Sequence, residues 1–121
     1  FNKAAELHYK SFNVHALPIL LDFARQSINS ARFSGNTEVL KQAIQILDDK
    51  NVLKVALEGE NAAYFLALRA TVKKDLGLLE SALADIDEAL RRQPDHQSYL
   101  SERDSIVRQL QRSGVAQARV N

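Results

Sequence analysis

An all-α fold of five to six helices in antiparallel pairs is what the sequence predicts, and three observations carry that expectation. The stretch Leu76 to Pro94, LGLLESALADIDEALRRQP, places Leu79, Ala82, Leu83, Ile86, Ala89 and Leu90 at spacings of three and four. That is one continuous stripe of a helix. Gly77 stands before the stripe and Pro94 after it, where each interrupts a helix. A second stretch, GNTEVLKQAIQIL from Gly35, shares the glycine, a large or branched residue and the same apolar spacing with GLLESALADIDEAL from Gly77. This is an internal repeat. Finally, no segment of the chain offers a partner to the one short run that would suit a strand.

Composition bounds the answer. At 121 residues the chain is one domain, long enough to bury a core without staples. It is 45% apolar and 26% charged, an ordinary globular composition. A net charge of +1 argues for neither nucleic acid nor an anionic membrane. There is no Cys, which excludes disulfides, thiolate catalysis and Cys-based zinc sites. The compartment is not identified by it. There is no Met either, even at residue 1, which suggests a piece of a longer protein. No apolar run reaches about 18 residues, so membrane insertion is not expected, and the N-terminus lacks the order of a signal peptide.

Asn2 to Phe12 reads as a short helix with Ala4, Ala5, Leu7, His8 and Phe12 on its less polar side. Pro18 suits the first turn of the next helix, read from about Ala16 to Phe33. There Leu17, Leu20, Leu21, Ala24, Ile28 and Ala31 form the stripe, and Ile19 with Phe23 widens it, as in a helix packed on two sides. Ser34-Gly35-Asn36 ends it. Thr37 is the expected N-cap of a helix to Leu47, whose buried face is Val39, Leu40, Ala43, Ile44 and Leu47. Asp48 to Glu60 is expected to be a short extra helix ended by Gly59, or a lengthened turn, in preference to an unpaired strand. Asn61 to Lys74 and Gly77 to Arg92 make the second pair. Asp95 is the expected N-cap of a closing helix, Gln97 to Gln111, with Tyr99, Leu100, Ile106, Val107 and Leu110 inward and Glu102, Arg103, Asp104 and Arg108 wet. Ser113-Gly114 is expected to stop it. The expected division is helix-pair units at residues 16–48 and 60–93, a capping helix at 96–112 and a flexible tail at 113–121.

Leu76-Gly77, Leu79, Ala82, Ile86, Ala89-Leu90 and Pro94 resemble the second helix of a tetratricopeptide repeat and the turn before it. In that pattern Gly precedes an aromatic or large apolar residue, and small, large and small residues follow, then Pro. Leu79 stands in the aromatic place. Ala70 fits the first helix of the same unit, whereas Arg69 and Lys73 stand where the family prefers Leu and Tyr, and Leu66 replaces its Trp. The separation of Gly35 from Gly77 exceeds the family's unit of about 34 residues. The excess lies in Asp48 to Glu60. The resemblance implies an α-solenoid with a C-terminal cap, and a protein–protein interaction scaffold.

No catalytic constellation is visible, and enzyme activity is not expected. His8, His15 and His96 have no second ligand at a metal-like spacing, so no metal and no cofactor is expected. Asp85, Asp87 and Glu88 read as an acidic, solvated outer side, with Asp85 and Glu88 able to pair with Arg91 or Arg92. The arginines from Arg91 to Arg119 are interrupted by Asp95, Glu102 and Asp104, which makes nucleic acid the weaker reading.

A surface is the better candidate. By the resemblance, first helices of successive units line a concave groove for a peptide or partner helix. The corresponding side chains are Asp22, Arg25, Asn29 and Arg32 on the first unit, and Tyr64, Leu68, Thr71 and Lys74 on the second. Arg25 and Asn29 are one turn apart, and some family members hold a peptide's terminal carboxylate with such a pair. The same residues also suit the wet face of an amphipathic helix. Tyr64 and Leu68 extend the apolar surface of their helix, and either Asn51–Leu57 covers them or they form a hydrophobic contact in the groove. The expected function is therefore a peptide- or domain-binding module of a larger protein. The alternatives are a helical regulatory or sensor domain that self-associates or binds a small ligand, and a structural spacer.

Overall fold

The computed structural model describes residues 16–120, with side chains described through residue 113. Its helices are α1 Leu17–Ser34, α2 Glu38–Leu47, α3 Lys50–Glu58, α4 Ala62–Asp75, α5 Leu79–Arg92 and α6 Gln97–Val120. Among the described residues there is no strand, and the fold is all-α. The helix expected at Asn2–Phe12 lies outside the described residues.

Helix α1 begins with Pro18 in its first turn, and its expected stripe from Leu17 to Ala31 is buried. Ile19 and Phe23 are not buried like the stripe: Ile19 is 74% exposed and Phe23 38%. The helix ends at Gly35, whose N–H donates to the Ala31 carbonyl at 2.7 Å. Gly35 has φ +75° and Gly77, in the turn between α4 and α5, has φ +84°. Both turns therefore need a left-handed residue, which glycine supplies without steric cost.

The start of α2 differs from expectation. Thr37 occupies the cap position, but its side chain makes no capping bond. Asn36 does that work instead, its Oδ1 accepting from the Glu38 N–H at 2.9 Å. Between residues 48 and 60 the chain forms α3, the short extra helix. Asp49 caps it, its carboxylate accepting from the N–H groups of Asn51 at 2.9 Å and Val52 at 3.2 Å. Val52 and Ala56 are fully buried, so the insert is tied into the core rather than looped out.

Helix α4 is the centre of the molecule and touches all five other helices. Its buried residues, Ala62, Ala63, Phe65, Leu66, Ala67, Leu68, Ala70, Val72 and Lys73, go round the helix rather than along one stripe. An apolar circumference is what a helix enclosed by neighbours requires. Its most extensive contact is with α5, where Ala82, Ile86 and Ala89 are fully buried, as is Ala70 on α4. Small side chains at such positions let two helix backbones approach closely.

The α4–α5 seam also corrects the reading of Asp85. It is not on a solvated outer side: it is 6% exposed. Its carboxylate accepts from Arg69 Nε and Nη2, both at 2.8 Å, and Lys73 Nζ lies 2.9 Å away. Arg69 also reaches Asp48 on its outer side, at 3.3 Å. The two α4 cations that depart from the repeat pattern thus share one α5 carboxylate, with Asp48 as a second partner for Arg69. Glu88 remains at the surface and pairs with Arg91 and, at 3.1 Å, with Arg92. The hydrogen bond from Arg91, reinforced by Arg92, holds its carboxyl down to about 2. Any stability from this pair is fully present above the unfolded value of 4.5 and is lost progressively as pH falls from there through about 2.

Helix α6 also departs from expectation. It does not stop at Ser113-Gly114 but runs through them to Val120. A single interior glycine costs a helix only about 1 kcal/mol and does not compel an end. Tyr99 and Ile106 are buried as expected, while Leu100 is 41% exposed.

Candidate functional site

Helices α1, α4 and α6 share one face, and most of the side chains proposed from sequence meet there. Two depressions run along it. The first, of about 250 Å³, lies between α1 and α4 and is lined by Pro18, Leu21, Asp22, Arg25, Asn61 and Tyr64. The second, of about 190 Å³, lies between α4 and α6, where Tyr64, Ala67, Leu68, Thr71 and Tyr99 form most of its wall. Tyr64 belongs to both.

Each charge proposed for this face has a partner. Arg25 pairs with Asp22 one turn away, and Asp22 also accepts from Gln26 Nε2 at 2.8 Å. Arg32 reaches across to α4, its Nε 3.0 Å from Asp75 Oδ2. Lys74 Nζ lies 2.8 Å from Glu102 Oε1 on α6, and the Thr71 hydroxyl lies 3.2 Å from the same oxygen. The Lys74 and Glu102 side chains are only 11% and 21% exposed. Asn29 is exposed on α1 and lines neither depression.

Tyr64 and Leu68 separate. Tyr64 stays 38% exposed, whereas Leu68 is 8% exposed. Leu68 looks toward α6, across the depression it shares with Ser98, Tyr99 and Glu102. The closing helix, rather than Asn51–Leu57, is thus its neighbour on this face.

Sequence reasoning missed the contribution of α6. Ser98, Tyr99 and Glu102 wall the second depression, and Glu102, expected to stay wet, is half-buried. The usable signal was Tyr99 one turn before Glu102, a polar-tipped aromatic beside a carboxylate on a helix read only as a cap. His96 stacks on Tyr99 with ring centroids 3.6 Å apart and planes 8° from parallel. Burial, followed by the neighbouring Tyr64 phenol, pushes the Tyr99 phenol above its ordinary value. A phenol with a raised folded-state pKa favours folding fully below the unfolded value near pH 10, and that contribution is lost as pH rises through the folded value. An alkaline titration followed by ultraviolet absorbance should therefore show a late-ionising tyrosine phase. Tyr99→Phe should remove that phase.

Among the described residues no group of three or more His, Asp or Glu side chains is placed to hold a metal ion. No helix among them is long and apolar enough to cross a membrane. Comparison with protein-family models, curated proteins and solved structures finds no match to this chain.

Proposed function

We propose that this chain is a protein-interaction module, with the face made by α1, α4 and α6 as its docking groove for a peptide segment or partner domain. The observation that carries the reading is the pair of adjoining depressions that share Tyr64. A half-exposed aromatic flanked by two recesses is the kind of feature on which interface energy concentrates.

The proposed architecture behind it is a short solenoid of antiparallel pairs, α1 with α2 and α4 with α5, closed by α6. Equivalent positions support this. Arg32 and Asp75, 43 residues apart, form an ion pair. Pro18 with Asn61, and Leu21 with Tyr64, stand at the same separation and line one depression. A left-handed glycine follows both α1 and α4. The tetratricopeptide-like positions Ala70, Ala82, Ile86 and Ala89 are all fully buried. The insert α3 accounts for the unit's extra length.

The reading is tested with Tyr64→Ala and Thr71→Arg, at sites that are exposed and half-buried. Peptides selected from a random display library on the wild-type protein should bind each variant about tenfold or more weakly, with helicity unchanged. Equal binding by all three proteins would place the interaction elsewhere. A second reading, self-association through α1, is favoured by one observation: Ile19, Phe23 and Phe33 are 74%, 38% and 86% exposed. Sedimentation equilibrium would reveal it as a dimer that Phe33→Ser dissociates.

A further inference from the structure

The charges on the α1–α4–α6 face are already spent on one another. Asp22 and Arg25 neutralise each other within α1. Arg32 and Asp75 do so between α1 and α4, and Lys74 and Glu102 between α4 and α6. A carboxylate arriving at Arg25 meets Asp22 beside it, and one arriving at Lys74 must displace Glu102 from a pair with little solvent access. The displaced carboxylate would then face the newcomer, a like-charge contact that costs binding.

What remains unspent is apolar. The recess between α4 and α6 is walled mainly by Tyr64, Ala67, Leu68 and Tyr99, with the small hydroxyl residues Thr71 and Ser98 beside them. Among the described residues its one charged wall residue, Glu102, is already held by Lys74. At about 190 Å³ it is smaller than the roughly 300–1,000 Å³ of sites that enclose whole small molecules. It has room for one large side chain.

We infer that the groove selects an internal, electrically neutral peptide segment, and that a large aliphatic or aromatic side chain of that segment anchors between Tyr64 and Tyr99. This rests on the docking-groove reading above and goes beyond it by naming the ligand's chemistry. It also sets aside a terminal-carboxylate clamp at Arg25 and Asn29: Arg25 is compensated, and Asn29 lines neither recess.

The test uses the full chain and the random peptides selected on it, each resynthesised with a free and with an amidated C-terminus. The expected result is equal affinity for the acid and amide forms, together with a loss of about tenfold or more when one large apolar residue is changed to Ala or Glu. Binding should also weaken against Tyr99→Ala, with circular dichroism confirming that this variant remains folded. Should Tyr99→Ala not fold, Ala67→Phe, which adds a ring to a residue lining the recess, replaces it, its fold confirmed in the same way. Peptides that bind only as free acids, and lose affinity to Arg25→Gln, would overturn the neutral-anchor inference while leaving the groove in place. Peptides indifferent to Tyr64→Ala and Thr71→Arg, or no selected peptide at all, would overturn the groove itself.

Discussion

Asp85→Ala is expected to cost about 3–5 kcal/mol of folding stability, the usual penalty for stripping a partner from a buried ion pair. The carboxylate is 6% exposed and is the shared partner of Arg69 and Lys73. Without it Arg69 keeps only the longer contact to half-exposed Asp48, and the Lys73 ammonium is left buried. Urea unfolding should show the loss as a lower midpoint at unchanged slope. The same physics predicts a rescue. Changing Arg69, Lys73 and Asp85 together to Leu, Tyr and Ala removes the three buried charges, leaving only half-exposed Asp48, and should be neutral or stabilising by about 1–4 kcal/mol. A triple variant as unstable as Asp85→Ala would show that the seam needs the ions for a reason other than mutual neutralisation.

Phe65→Ala is expected to cost about 3–5 kcal/mol, from lost transfer energy and the cavity left behind. Phe65 is the largest of the fully buried side chains and sits on the helix that touches all the others. Its ring also lies 5.8 Å from the Arg69 guanidinium carbon, so the change removes a cation–π partner from the same seam. A domain with a total stability of roughly 5–15 kcal/mol would be left marginal. Thermal unfolding should shift down by more than about 10 °C, while Phe65→Leu, which keeps most of the volume, should cost about 1.5 kcal/mol or less.

Much of this fold was legible because its helices are amphipathic. The stripes of α1, α2 and α5 fell at the right spacings, and Gly35 and Gly77 marked the turns where the backbone takes positive φ. Asp85 was misread for a physical reason: a carboxylate in an acidic run looks solvated unless its partners are known, and these lie on another helix, 16 residues away in the case of Arg69. Arg69 and Lys73, noted as departures from a repeat pattern, were half of that signal. Gly114 misled in the opposite direction, since a glycine permits a helix end without enforcing one.

The face was legible in part. Arg25, Tyr64, Leu68 and Thr71 do line its two depressions. What spacing along one helix could not show was cross-helix pairing: Arg32 with Asp75, and Lys74 with Glu102. Those pairs turn a row of apparent peptide contacts into a compensated surface, and they shift attention to the recess beside Tyr99.

Docking of a peptide segment on the α1–α4–α6 face is open to direct mapping, by following amide chemical-shift changes while a selected peptide is titrated into the isotope-labelled protein. The changes are expected to concentrate on Tyr64, Leu68, Thr71 and Tyr99, with the outer residues of α2 and α5 unmoved. Changes centred on α2, α5 or the exposed apolar residues of α1, with Tyr64 and Tyr99 silent, would contradict it.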